Sequence, residues 1–176
     1  MQTSLVLTVL GLDRAGLVQA LSETVMRFGA NWEASRMARL AGRFAGMLLV
    51  RVDQDKADAL TDALCALDAT GLKVFVARSV ASQESEEHQL LHLELLGTDQ
   101  PGIIREISQA LAGRGVNMVE LSTECLIAPM SGETMFKMAA TLQSPRSVPI
   151  EQLSEILEAL AHDLLVDISL DAAKKK

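Results

Sequence analysis

Aromatic side chains are scarce in this chain of 176 residues: they make up 3% of it, as Trp32 and four phenylalanines, with no tyrosine. Any core must therefore be aliphatic, built from Leu, Val, Ile, Ala and Met, and the 49% hydrophobic fraction is enough to supply one. The same scarcity removes the stacking platforms on which single-stranded nucleic acids are held. Positive charge is short as well. With a net charge of −7 the chain lacks the surface that neutralises phosphates, so no direct contact with nucleic acid is expected. The basic run Lys174-Lys175-Lys176 reads as a solvated tail. Cysteine is limited to Cys65 and Cys125, which form no CxxC pair and so give neither a disulfide framework nor a metal signature. No positively charged segment precedes the first apolar run, so no signal peptide is expected. No apolar run is long enough to span a bilayer. These absences predict a soluble cytoplasmic protein with no membrane partner.

What is present is a turn that occurs twice. Gly97-Thr98-Asp99-Gln100-Pro101-Gly102-Ile103-Ile104 follows an apolar run and opens an amphipathic stretch. Gly11-Leu12-Asp13-Arg14-Ala15-Gly16-Leu17-Val18 does the same earlier in the chain. Such a turn brings backbone N–H groups to a helix N-terminus, where the macrodipole favours a carboxylate or another anion. A small anionic ligand such as an amino acid is the chemistry that these turns suggest.

Leu5 to Leu10 is rich in strand formers and ends at Gly11. Beyond Gly16 the period changes: Leu17, Val18, Leu21, Val25 and Phe28 share a helical face, and Gly29 supplies the stop. Asn31–Leu40 and Phe44–Val52 read as strands around the Ala41-Gly42 turn, Lys56–Ala69 as a helix, and Leu72–Ala77 as a fourth strand. The order is β-α-β-β-α-β. A polar, acidic stretch without apolar period follows, with the composition of a linker. The order then returns. Leu91 to Leu95 alternates as a half-buried strand, and a helix carries Ile103, Ile104, Ile107 and Leu111. Two strands run from Val116 to about Ile127 and from Met135 to Leu142, joined by a turn at Pro129–Gly132. A helix over Ile150–Ala161 and a strand over Leu164–Leu170 close the second copy. A shift of 86 positions lays Leu5 on Leu91, Gly11 on Gly97, Asp13 on Asp99, Gly16 on Gly102, Gly29 on Gly115 and Asn31 on Asn117 without a gap. Two copies make a tandem of domains and not a solenoid.

Two β-α-β units of this kind place both helices on one face of a four-stranded antiparallel sheet, the ferredoxin-like arrangement. The expected class is α+β, with domains over residues 1–80 and 90–171, an acidic linker over 81–89 and a basic tail over 172–176. In the second unit His92 and Glu94 point away from Leu91, Leu93 and Leu95, so that sheet face is wet. The first unit's opening strand is apolar on both sides, which calls for cover by the sister domain or by another chain.

The G-x-D-x-x-G turn between the first strand and first helix, with an asparagine fifteen residues beyond its last glycine, resembles the ACT domain. The resemblance covers both halves. The free-standing pair and the segment Asn31-Trp32-Glu33-Ala34-Ser35-Arg36-Met37 resemble the glycine cleavage system transcriptional repressor group. The resemblance implies an amino-acid-sensing regulator without catalytic residues, cofactor or metal. It implies a homo-oligomer formed by ACT domains pairing side by side, with a small amino acid, glycine foremost, bound at the joint. It also implies a protein partner such as a transcription activator; the alternative is a regulatory subunit docked on a metabolic enzyme. Carried over by position, the ligand contacts are Asp13, Arg14, Gly16 and Asn31, and Asp99, Gln100, Gly102 and Asn117. Ala15 departs from the family pattern, whereas Pro101 keeps it. A proline at the first helical position would make the second turn the more rigid.

Each of these residues has a structural reading beside the functional one. Gly16 and Gly102 allow close approach of a ligand, or tight helix–strand packing. Asp13 and Asp99 accept an ammonium group, or serve as Asx-turn or capping residues. Asn31 and Asn117 bond a carboxylate, or follow a helix-ending glycine as turn residues. His92 and Glu94 lack a third ligand and read as a solvated face. Cys65 reads as core filler, and Cys125 has no activator for a reactive thiolate.

Overall fold

The computed structural model describes residues 1–79, 87–129 and 132–173. Most of the expected acidic linker, residues 130–131 of the expected Pro129–Gly132 turn and the expected lysine tail at 174–176 lie outside the described residues. The chain divides into two compact units, Met1–Ser82 and Gln83–Lys176. Each repeats one order of elements.

In the first unit, β1 (Gln2–Leu12) leads through the turn to α1 (Leu17–Arg27), then β2 (Asn31–Leu40), β3 (Arg43–Asp53), α2 (Ala57–Cys65) and β4 (Leu72–Arg78). In the second unit, β5 (His88–Thr98), α3 (Ile103–Ala112), β6 (Asn117–Ile127), β7 (Thr134–Pro145), α4 (Ile150–Leu164) and β8 (Val166–Ala172) follow in the same way. Both sheets are antiparallel, ordered β2-β3-β1-β4 and β6-β7-β5-β8. The paired β-α-β-β-α-β order read from the sequence is the order observed, and the α+β class stands.

Alternation along β1 decides which face is covered. Leu5, Leu7 and Val9 are buried and join Leu17, Leu21 and Val25 of α1 and Leu60 and Leu64 of α2 in one core. In the second unit Leu91, Leu93 and Leu95 meet Ile103, Ile107 and Leu111 of α3 and Leu153 and Leu157 of α4. Burying each such side chain contributes about 1.5–3 kcal/mol, so aliphatic residues alone suffice for both cores. His92 and Glu94 lie on the opposite, exposed face, as the alternation predicts.

Several expectations need correction. Cys65 is exposed and not core filler. It follows Leu64, and one helical step of about 100° carries it off the buried stripe. The helix predicted over Lys56–Ala69 is an α-helix only over Ala57–Cys65, followed by a 3-10 turn over Ala66–Thr70. Thr70 Oγ1 bonds back to the Leu67 carbonyl at 2.7 Å and Gly71 enters the left-handed region, which tightens and ends the helix. Pro101 stands before the capping residue Gly102, so it is not the first helical residue.

Gly11 and Gly97 are fixed by packing. A Cβ at Gly11 would come within 2.8 Å of the Gly71 carbonyl, and one at Gly97 within 2.7 Å of Val166 Cα. The absence of a side chain lets β4 and β8 lie against the ends of β1 and β5. The edge strands β2 and β6 each carry a bulge at matching places, between Trp32 and Ala34 and between Met118 and Glu120. The duplication thus preserved an irregularity as well as the elements.

Candidate functional site

In both helix-opening turns the capping residue is a glycine in the left-handed region, Gly16 at φ 92° and Gly102 at φ 102°. No atom lies within 4 Å of where a Cβ would stand at either glycine. Helix–strand packing therefore does not require glycine here, whereas the backbone conformation does. The glycine carbonyls accept the first helical bonds, from Ala20 N–H at 2.9 Å and Glu106 N–H at 3.0 Å. Neither helix has a side-chain cap. The N–H groups of the first turn of α1 and α3 are thus left for an outside acceptor.

Asp13 and Asp99 do not cap these helices. Their backbone N–H groups donate to the Gly42 and Thr134 carbonyls, each at 3.0 Å, which ties the turn to the neighbouring hairpin. The Asp13 carboxylate pairs with Arg39 at 3.3 Å on the edge strand β2. Arg14 and Gln100 act alike in a way the sequence did not show. Arg14 donates to the Thr70 carbonyl at 2.6 Å, and Gln100 donates to the Leu164 carbonyl. Each side chain hooks its turn to the C-terminal end of the second helix of its own unit. The sequence signal was the alignment itself, since two different donors stand at one position of the repeat.

Asn31 and Asn117 are exposed and begin β2 and β6, two residues after the helix-ending glycines Gly29 at φ 66° and Gly115 at φ 70°. They are not near the turns of their own units. Asn31 stands in the row of Arg51, whereas the turn leaves β1 at Leu12 in the row of Arg43. The rows are separated along β3 by about 26 Å at ~3.3 Å per residue. In the second unit Asn117 stands in the row of Gln143 and the turn leaves β5 at Thr98 in the row of Met135, the same separation. The cause is direction. β1 and β2 run the same way on either side of β3, so the end of one and the start of the other fall at opposite ends of the sheet. Each unit therefore carries half of the predicted constellation at each end of an edge strand.

An open pocket of about 450 Å³ lies in the second unit between the end of α4 at Ala161 and His162, the Leu165–Asp167 corner, and the Leu96–Thr98 segment. It adjoins the turn at Gly97 and Thr98, but none of Asp99, Gln100, Gly102 or Asn117 lines it. Among the described residues no group of three His, Cys, Asp or Glu side chains could hold a metal ion. No helix among them is long and apolar enough to cross a membrane.

Residues 3–76 match the family model described as the ACT domain. The first unit is an ACT domain. The second unit repeats the topology, the glycine turn and the edge bulge of the first. The likeness to known proteins runs over both units. The glycine cleavage system transcriptional repressor of Escherichia coli (strain K12) is 24% identical over 164 residues, 93% of this chain and 86% of the repressor. A crystal structure of a protein of unknown function from Galdieria sulphuraria matches with a TM-score of 0.89 and 32% identity, covering 99% of this chain and all of that one. A solved structure whose name also invokes the glycine cleavage system repressor gives a TM-score of 0.73 at 23% identity over 99% of both chains, which supports the fold. The ACT match and the repressor likeness together support a regulatory role.

Proposed function

We propose that this ACT pair is a non-catalytic, cytoplasmic regulator that responds to a small amino acid and controls transcription by holding a partner regulator. Glycine is the first candidate effector, because the curated relatives are named as repressors of the glycine cleavage system. The observation that carries the reading is the duplicated helix-opening turn. In both copies a left-handed glycine leaves the first N–H groups of a helix without a side-chain cap, which suits a carboxylate. Asp13 and Asp99 stand in these turns as acceptors for the ammonium group of the same ligand. Asn31 and Asn117 join them only when the edge strand of one unit pairs antiparallel with that of another. That pairing sets the start of one strand beside the end of its neighbour and closes the 26 Å gap (about eight residues of strand).

The test is thermal unfolding of the full chain against a panel of amino acids. A ligand that binds only the folded state adds RT ln(1 + [L]/Kd) of stability, about 2.7 kcal/mol at a hundredfold excess over Kd. Glycine or a close analogue is expected to raise the melting temperature, and Asn117→Ala to blunt the rise without altering the unliganded melt. If no amino acid shifts the transition at millimolar concentration, the sensing role is refuted. Affinity capture is expected to recover a transcription regulator; recovery of a metabolic enzyme instead would reassign the chain as an enzyme-bound subunit.

A further inference from the structure

The first unit's sheet turns an apolar and cationic face away from its helices, although the chain carries a net charge of −7. One row across β2, β3, β1 and β4 reads Arg36, Met47, Thr8 and Phe75. The rows on either side read Ala38, Ala45, Leu10 and Lys73, and Ala34, Leu49, Val6 and Ala77. Leu40, Arg43 and Leu12 add a fourth row. Phe75 and Leu12 are each 63% exposed, Met47 55% and Leu10 43%. The charged members of these rows are all cations, and no carboxylate stands among them. The fold does not require these residues. At the matching places of the second unit Ser169 stands for Phe75, Ala139 for Met47 and Asp167 for Lys73, on the same pairing of strands. One copy of the sheet thus holds together without the apolar patch that the other displays.

A contiguous apolar patch rimmed by polar groups marks an association surface. Its occupant should bring apolar groups and charge of the opposite sign. Shape narrows the occupant further. From Leu12 to Val6 the rows span about 20 Å at ~3.3 Å per residue, and the four strands span about 14 Å at ~4.8 Å spacing. A helix of about 13 residues has that length, and with its side chains a width of about 10–12 Å. The cations stand on both sides: Arg36 on the edge strand β2 and Lys73 on the edge strand β4, with Met47 and Leu10 on the strands between. We infer that this face holds an acidic amphipathic helix of a partner protein. The apolar stripe of that helix lies on Met47, Leu10 and Phe75, and its flanking carboxylates turn toward Arg36 and Lys73. The helix belongs to the partner regulator, so the assignment rests on the regulatory reading above. A second copy of the chain is a poorer occupant, because two such faces bring cations together with no carboxylate between them. An anionic lipid surface is poorer as well, since it repels a chain of net charge −7.

Fluorescence anisotropy of a labelled helical peptide against the full chain tests the inference. The peptide has about 14 residues of Leu, Glu and Ala, with leucines at i, i+3, i+4 and i+7 and glutamates beside them. It is expected to bind saturably, and more weakly at high salt. Phe75→Glu and Met47→Glu should each weaken binding about tenfold or more, with circular dichroism and the melting curve as before. Lys73→Glu should also weaken it. Ser169→Glu, at the matching place in the second unit, should leave binding unchanged. No binding, equal binding by an isomer with scattered leucines or by a peptide with Lys for Glu, or no loss with the first-unit variants would overturn the inference. So would an assembly whose sedimenting mass is halved by Phe75→Glu, which assigns the face to a second copy. Flotation on phosphatidylglycerol vesicles that Phe75→Glu abolishes would assign it to lipid and overturn it too. Affinity capture separates the surface from the regulatory reading. A transcription regulator captured equally well by Phe75→Glu overturns the surface alone, whereas a metabolic enzyme whose capture needs Phe75 overturns the regulatory reading alone.

Discussion

One residue of the second unit breaks the pattern of the first at some energetic cost. Where β4 is entered through Gly71 at φ 82°, β8 is entered through Leu165 at φ 52°. A left-handed backbone costs a residue with a Cβ roughly 1–2 kcal/mol. Leu165 is 78% exposed, so its side chain returns little burial for that strain. Leu165→Gly is expected to stabilise the second unit by about 0.5–1 kcal/mol, the relief of strain exceeding the greater freedom of glycine in the unfolded chain. Gly71→Ala, with open space around the new methyl group, should destabilise the first unit by about 1 kcal/mol. Calorimetric melting of the two variants checks both signs; a fall in stability with Leu165→Gly would mean that the exposed leucine packs against something in solution.

At the scale of elements, each helix-opening turn is fastened twice, once to the hairpin through an aspartate N–H and once to the end of the second helix through Arg14 or Gln100. Gln100 is partly buried and satisfies a carbonyl in the last turn of α4, a group that a helix leaves without an internal partner. Gln100→Ala is expected to cost about 1 kcal/mol of stability without any ligand, and to raise hydrogen exchange at the amides of Leu165 and Val166. A residue serving only as a ligand contact would leave both readings unchanged. This role was not legible in the sequence, because side-chain spacing does not show which remote carbonyl lies within reach. The elements themselves were legible. The change from alternation to a 3.6-residue period and the glycines at both ends of α1 and α3 placed strands and helices in order. Strand ends were missed wherever a partner strand extended them: Gln2 and Thr3 join β1 because Asp53 and Val52 face them, and β7 runs to Pro145 because His88 faces it. The candidate site was legible only as a set of residue types. That Asn31 and Gly16 lie at opposite ends of a sheet follows from strand direction, which a repeat found by subtraction does not contain.

For the whole molecule, that separation makes assembly a condition of the amino-acid binding proposed above. On that proposal a turn supplied by one unit and an asparagine supplied by another form the site, which no single unit contains. If the pairing joins β6 of two chains, a pair of chains holds two such sites, each mixing residues from both. A chain carrying Asp99→Ala spoils both sites of its homodimer through the turn, and a chain carrying Asn117→Ala spoils both through the edge strand. In the mixed dimer the defects segregate: one site receives both substitutions, and the other keeps the native turn and the native asparagine. Each variant alone is expected to blunt the amino-acid-dependent rise in melting temperature, because it spoils the second-unit sites and leaves those of the first unit. An equimolar mixture, exchanged long enough to form mixed dimers, should recover calorimetric binding at about one site for every four chains, since half the dimers are mixed and each carries one intact site. Titration calorimetry on the mixture against each parent gives the answer. A mixture that binds no more than its parents would rule out the shared site between chains, whatever the affinity of the unmodified protein.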